Sequence, residues 1–270
     1  MKRLDFNNKA IIITGASSGI GKSLAITLIN KHNARVYGVS RGKEGLDAVR
    51  QELGEKGDRF IPYPMDVSCK DSWAELRKKL ENDGVSVDIL INGAGILPKF
   101  ASLERTSIDD FEQVIKTNFL SCVYSCKEIM PLIPTGGCVV NIASASALCP
   151  FAGVSSYTAS KVALQRFSEA LAQERRDISV LCVLPGFVKT NIMKNQNANK
   201  EDLKLIRLFS SDLEKTTRKL LRKIKGRKRR IVLGFDGHLM SLLYRLFPSL
   251  APKIISRVLK KSGMKLFEDI

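Results

Sequence analysis

Histidine is scarce in this chain, with only His32 and His238 among 270 residues; tryptophan occurs once, and no apolar run reaches the roughly 18 to 20 residues that span a bilayer. Each shortage excludes something. Two widely separated histidines, with no carboxylate or cysteine spacing to match, give no basis for a metal centre, so no metal is expected. The six cysteines, Cys69, Cys122, Cys126, Cys138, Cys149 and Cys182, mostly sit inside apolar segments and lack metal-ligand spacing, which predicts reduced, buried thiols. The start, Met1-Lys2-Arg3-Leu4-Asp5, lacks the apolar core of a signal peptide, so a cytoplasmic location is expected. At 44% hydrophobic and 26% charged the composition is ordinary for a globular protein, and residues 1–270 are expected to form one α/β domain.

What is present is an alternation of strand and helix patterns. Strands fit near residues 10–14, 35–39, 59–63, 87–91, 137–142, 178–184 and 230–234, and helices near 19–31, 43–54, 70–82, 107–130, 155–176 and 202–224. That order predicts a doubly wound, mostly parallel seven-stranded sheet with helices on both faces. In such sheets ligands sit at the carboxyl ends of the strands, where Gly15, Asn92, Ser144 and Pro185 fall.

Two segments carry chemistry. The apolar run Ala10-Ile11-Ile12-Ile13 leads into Thr14-Gly15-Ala16-Ser17-Ser18-Gly19-Ile20-Gly21 and then an amphipathic stretch holding Leu24 and Leu28. A strand, a glycine-rich turn and a helix N-terminus together form an anion site, because free N–H groups and the helix dipole converge there. Farther on, Tyr157 and Lys161 stand four apart in Tyr157-Thr158-Ala159-Ser160-Lys161, with Ser144 upstream. Residues at i and i+4 share a helix face, and an ammonium beside a phenol draws its pKa down toward useful acid/base chemistry.

With these motifs the chain resembles the short-chain dehydrogenase/reductase family, in the branch marked by TGxxxGxG and YxxxK. Further matches follow in order: Asp66-Val67, Asn92-Gly93-Ala94-Gly95, Asn118, Ser144 and Pro185-Gly186-Phe187-Val188-Lys189-Thr190, together spanning residues 9 to 190. Gly93 departs from the pattern, where the family most often has a second Asn. The resemblance implies a Rossmann-type fold and an oxidoreductase interconverting a carbonyl and a secondary alcohol. It casts Tyr157 as the acid, Lys161 as its modulator and a ligand of the nicotinamide ribose, Ser144 as the group holding the carbonyl oxygen, and Asn118 as the anchor of a proton-relaying water inside an interrupted helix. Ser146 is a rival to Ser144. On the cofactor side it implies contacts from Gly15, Ser17, Ser18, Gly19, Ile20, Gly21, Asp66, Val67, Asn92, Ala94, Gly95, Tyr157, Lys161, Pro185, Gly186, Val188 and Thr190, and association into a homodimer or homotetramer through the helices near 107–130 and 155–176.

Cofactor choice turns on the end of the second strand, Val36-Tyr37-Gly38-Val39-Ser40-Arg41. An acidic residue there holds a ribose 2′-hydroxyl, whereas an Arg accommodates a 2′-phosphate. Ser40 stands in the acidic position and Arg41 follows, so NADP(H) is expected over NAD(H).

Charge is uneven. Of a net +17, residues 200–270 hold 19 Lys/Arg against 7 Asp/Glu, densest from Lys215 to Arg230. Basic segments next to Leu239 to Phe247 and Ile254 to Lys261 suit an anionic membrane surface, or else simply flank a cleft or a dimer interface. No nucleic-acid reading motif accompanies the charge. Residues 191–230 are expected to carry the substrate lid and 235–270 a C-terminal helical extension. Gly234-Phe235-Asp236-Gly237 with Leu239-Met240-Ser241 resembles the C-terminal region of 3-ketosphinganine reductases, which implies a hydrophobic, lipid-like ketone. Three other readings stand beside this: a reductase of a small soluble carbonyl, a non-catalytic NADP(H) sensor, and a hydrolase using Ser17 of Gly15-Ala16-Ser17-Ser18-Gly19 with Asp236 and His238.

Overall fold

The computed structural model describes every residue except 1, 151, 191, 193–195, 197, 198, 200, 203–205, 207–209, 265, 266 and 268–270. Its first strand shows why the apolar run is unbroken. Ile11 and Ile13 pack on one face of the sheet with Leu24 and Leu28, while Ile12 packs on the other with Trp73 and Leu76. Both faces are covered, so the strand is apolar up to Thr14 at its carboxyl end.

The chain runs β1 (Ala10–Thr14), α1 (Gly19–His32), β2 (Arg35–Ser40), α2 (Lys43–Glu52), β3 (Phe60–Pro64), α3 (Lys70–Asn82), β4 (Ile89–Asn92), α4 (Ile108–Ile115), α5 (Ser121–Ile129), β5 (Cys138–Ile142), α6 (Ser155–Glu174), β6 (Ser179–Pro185), α7 (Leu213–Lys225), β7 (Arg230–Leu233), α8 (Phe235–Leu246) and α9 (Ala251–Lys261). The seven strands form one parallel sheet in the order β3-β2-β1-β4-β5-β6-β7. Helices α1, α2 and α7 cover one face, and α3, α5 and α6 the other. The order reverses between β1 and β4, which opens a crevice at the carboxyl ends of those strands.

Two helices are not continuous. The one read over 107–130 is α4 and α5 joined by a π-turn at Lys116–Leu120 that contains Asn118, the interruption that the resemblance implies. The one read over 202–224 is interrupted: Asp202 and Ile206 are helical, Ser211 bridges to Val188, and the Asp212 side chain caps α7 from Leu213, accepting from the Lys215 N–H at 2.8 Å, while 203–205 and 207–209 lie outside the described residues. Within 191–230, Ile192, Ile206 and Ser210 line the cleft and α7 packs Leu220, Leu221 and Ile224 into the main core; 191, 193–195, 197, 198, 200, 203–205 and 207–209 of the expected lid lie outside the described residues. The basic run is likewise partly structural. Arg227, at φ 55°, donates to the Gly136 and Gly137 carbonyls, to Ser179 Oγ at 2.6 Å and to the Lys2 carbonyl at 2.7 Å. Lys223 Nζ donates to the Val232 carbonyl at 3.0 Å.

Candidate active site

A cleft of about 430 Å³ lies at the carboxyl ends of β1, β4, β5 and β6. Of the residues singled out by sequence it is lined by Gly15, Ser18 to Gly21, Arg41, Ala94, Gly95, Ser144, Tyr157, Lys161, Pro185, Gly186, Val188 and Thr190. Ser17, Ser40, Asp66, Val67, Asn92 and Asn118 do not line it. Ser17 Oγ and Ser40 Oγ bond to each other at 2.8 Å, which ties the glycine turn to the end of β2. Asp66 Oδ1 accepts from the N–H and Oγ of Ser68, and the Val67 carbonyl accepts from Trp73 Nε1.

The glycine turn fits a dinucleotide on its own geometry. Gly15 and Gly19 have φ of +71° and +53°, and a Cβ on Gly21 would collide with the Gly15 carbonyl. Ser18 caps α1 without a side-chain bond, and the first turn holds no acidic residue. The N–H groups at that helix end are therefore left for an anion. A Cβ on Gly95 would stand 3.4 Å from Lys161 Nζ, so the chain narrows there to backbone alone.

Tyr157 and Lys161 project from the first turns of α6 into the floor of the cleft. Lys161 is 4% exposed, its Nζ lies 5.7 Å from the Tyr157 ring centroid, and it donates to the Ile142 carbonyl at 3.0 Å. Ser144, just past β5, lines the cleft with Tyr157, and its Oγ accepts from the Ser146 N–H at 3.2 Å. Ser146 itself is buried and does not line the cleft. Reading the i, i+4 pair alone has Lys161 drawing the phenol's pKa down. In the structure burial dominates: it pushes the Tyr157 phenol above its ordinary 10.0, against the opposing influence of the Ser144 hydroxyl, and pushes the Lys161 ammonium below its ordinary 10.5.

Asn118 is fully buried, and both ends of its amide clasp one residue: Oδ1 accepts from the Ile96 N–H at 2.8 Å and Nδ2 donates to the Ile96 carbonyl at 2.9 Å. Nδ2 also reaches Ser160 Oγ at 3.2 Å, so Asn118 ties the loop after β4 to α6. Sequence reasoning missed two comparable residues. Thr14 Oγ1 accepts from the N–H groups of Gly93 and Ala94 at 2.9 and 3.0 Å, fixing the same loop to β1. Asp236 Oδ2, in the first turn of α8, accepts from the Phe187 N–H at 2.6 Å and lines the cleft. Neither has a local signal, since each partner lies 49 or more residues away. The hydrolase arrangement is not assembled: Ser17 faces Ser40, Asp236 holds Phe187, and His238 is exposed.

Among the described residues no cluster of His, Cys, Asp or Glu is placed to hold a metal ion, and no helix is long and apolar enough to cross a membrane. The family model of short chain dehydrogenases matches residues 9–201. A 3beta-hydroxysteroid dehydrogenase of Mediterraneibacter gnavus is 32% identical over 197 residues, covering 72% of this chain and 71% of the relative. The 3-oxoacyl acyl-carrier-protein reductase FabG of Buchnera aphidicola is 35% identical over 198 residues, covering 72% and 79%. In fold, a crystal structure of a short-chain dehydrogenase from Streptomyces avermitilis superposes with a TM-score of 0.77 at 23% identity, over 95% of this chain and 98% of that one. The chain therefore belongs to the short-chain dehydrogenases, oxidoreductases that act on a carbonyl/alcohol pair with NAD(P).

Proposed function

We propose that the protein is an NADP(H)-dependent reductase of a hydrophobic, lipid-like ketone, working through Tyr157, Lys161, Ser144 and Asn118. What supports this reading is that Ser144, Tyr157 and Lys161 line one cleft, with Lys161 Nζ 5.7 Å from the Tyr157 ring centroid. A bound dinucleotide supplies hydride to the carbonyl carbon. Tyr157 gives its proton to the carbonyl oxygen as negative charge develops there, and Ser144 steadies that oxygen. Burial keeps the phenol protonated at neutral pH and makes Lys161 easier to deprotonate, so the ammonium is the natural group to replenish the phenolate. The Ile142 carbonyl holds Lys161 in place, and Asn118 holds the loop opposite.

Arg41, exposed at the cleft beside Ser40, supplies the charge for a 2′-phosphate; the helix end at Ser18 to Gly21 takes the pyrophosphate. Thr190 and the Val188 backbone are assigned to the carboxamide, and Asp66 to the adenine amine. The hydrophobic substrate rests on the other wall, where Leu97, Phe100, Ile142, Phe187, Ile192 and Met240 meet. The named activities of the hydroxysteroid and oxoacyl relatives are consistent with it. A cytoplasmic site of action and self-association through α4–α5 and α6 belong to the same reading. The deciding assay is NADPH oxidation with ketones of rising chain length. Turnover that climbs with chain length is the expected result, and a preference for small, water-soluble carbonyls would overturn the substrate assignment.

A further inference from the structure

The cleft is not the only apolar surface. Of the thirteen large hydrophobic side chains exposed among the described residues, nine fall between Phe235 and Val258. Single exposed apolar residues are ordinary, whereas a contiguous group marks a contact site. On α8, Phe235, Leu239, Leu242 and Leu246 follow one another at spacings of four, three and four, a single helical stripe. Phe235 is 82% exposed, and Leu242 and Leu246 are 55% and 57% exposed. Phe247 and Leu250 carry the surface through the turn. On α9, Ile254 and Val258 continue it on the outer side, while Leu259 on the inner side packs against the cluster of Phe100, Tyr157 and Phe267.

The charge around this surface has one sign. From Gly237 to Met264 the sequence holds Arg245, Lys253, Arg257, Lys260 and Lys261 and no Asp or Glu. Arg257 and Lys261 line a shallow depression with Ile254 and Val258 on the outer side of α9.

We propose that the α8–α9 hairpin is a docking surface for a membrane leaflet containing anionic phospholipid. Leucine and phenylalanine stripes enter the acyl boundary, and Lys and Arg stems lie along the apolar surface with their heads at the phosphates. A second copy suits this surface poorly, because a two-fold contact sets the same all-positive patch against itself. Lys223 and Arg227 of the basic run, by contrast, are engaged with the protein's own carbonyls. The inner side of the same hairpin reaches the cleft through Met240 and the Tyr157 cluster through Leu259. Docking therefore sets the active site beside the lipid; that its ketone arrives from the bilayer rests on the function proposed above.

The test is flotation of the full chain with vesicles of phosphatidylcholine alone or mixed with phosphatidylglycerol. The wild type is expected to float with the mixed vesicles at low salt, not with phosphatidylcholine alone, and to bind less near 1 M salt, where the Debye length is about 3 Å. Lys253→Gln, Arg257→Gln and Lys261→Gln combined should lower partitioning about 100-fold, at about 1 kcal/mol per charge. Leu242→Ser with Leu246→Ser should abolish it, with melting temperature and dinucleotide binding unchanged in both variants. Failure of the folded wild type to float with either vesicle would overturn the proposal. So would a dimer in solution that Leu242→Ser with Leu246→Ser dissociates while vesicle binding persists. Flotation as expected, with no turnover of a long-chain ketone in those vesicles, would instead refute the substrate reading and leave the docking surface standing.

Discussion

Asn92 Nδ2 donates to Asn141 Oδ1 at 2.8 Å, joining β4 to β5 through two fully buried amides. The chain of bonds continues both ways. Ser125 Oγ of α5 donates to Asn92 Oδ1 at 2.8 Å, and Asn141 Nδ2 donates to Ser168 Oγ of α6 at 2.9 Å. The helix that bears Tyr157 is thereby fixed to the sheet by a polar line through an apolar core. Asn141→Leu leaves the Asn92 amide without its acceptor and Ser168 without its donor. A loss of about 2 to 4 kcal/mol is expected, read from the urea midpoint.

Tyr157→Phe keeps the ring and its packing against Phe100 while removing the transferable proton. Reduction should fall by about 100- to 10,000-fold with dinucleotide affinity retained, as seen by single-turnover kinetics and direct titration. Turnover near that of the wild type would remove Tyr157 from the reaction.

Arg41→Ala should weaken NADPH by roughly 1.5 to 3 kcal/mol and leave NADH almost unchanged, the range for a hydrogen bond to a charged group. Equal loss of both dinucleotides in calorimetry would mean that Arg41 does not read the 2′-phosphate.

The raised pKa of Tyr157 has a definite sign in stability. The folded state holds the phenolic proton more tightly than the unfolded chain, whose value is 10.0, so this contribution is fully present below pH 10 and is lost as pH rises from there through the folded value. The wild type should therefore lose stability relative to Tyr157→Phe between pH 9 and pH 11, measured as the difference in urea midpoints. A constant difference across that range would contradict the effect of burial.

Arg227→Met removes the guanidinium that joins Gly136, Gly137, Ser179 and Lys2, leaving partly buried carbonyls without that donor. The expected cost is about 2 to 3 kcal/mol. Arg229→Gln, a neighbouring change in the same basic run, serves as the control in thermal melts and should shift stability by less than about 0.5 kcal/mol.

The strand-and-helix order, the glycine turn and the Tyr157–Lys161 face were readable because each depends on neighbours in sequence: a run of isoleucines, a turn of glycines, a spacing of four. The contacts that shape the site were not. Asn92 reads as a cofactor contact from its motif, yet its side chain lies in the line between α5 and α6. Asp236 invites a catalytic reading beside His238, but it pins the Phe187 N–H from 49 residues away. Arg227 looks like one more solvated charge until the fold brings Gly136 and Gly137 to it. The burial of Tyr157 is illegible for a related reason, since a helical spacing reports a nearby charge and says nothing of the water excluded around both groups.

The π-turn at Lys116–Leu120 acts as a phase shifter. A π-turn holds about one residue more than an α-turn, and each residue of an α-helix rotates the chain by about 100°. That offset lets Val114 in α4 face the cluster around Tyr157 while Cys126 and Ile129 in α5 face the sheet. Winding the same residues as regular α-helix would turn one half by about 100° out of its contact, unseating either the wall beside Tyr157 or the seat on the sheet, whereas deleting one residue from this segment would restore the α-turn with both halves in phase. The irregularity is what allows a single stretch of helix to serve two surfaces.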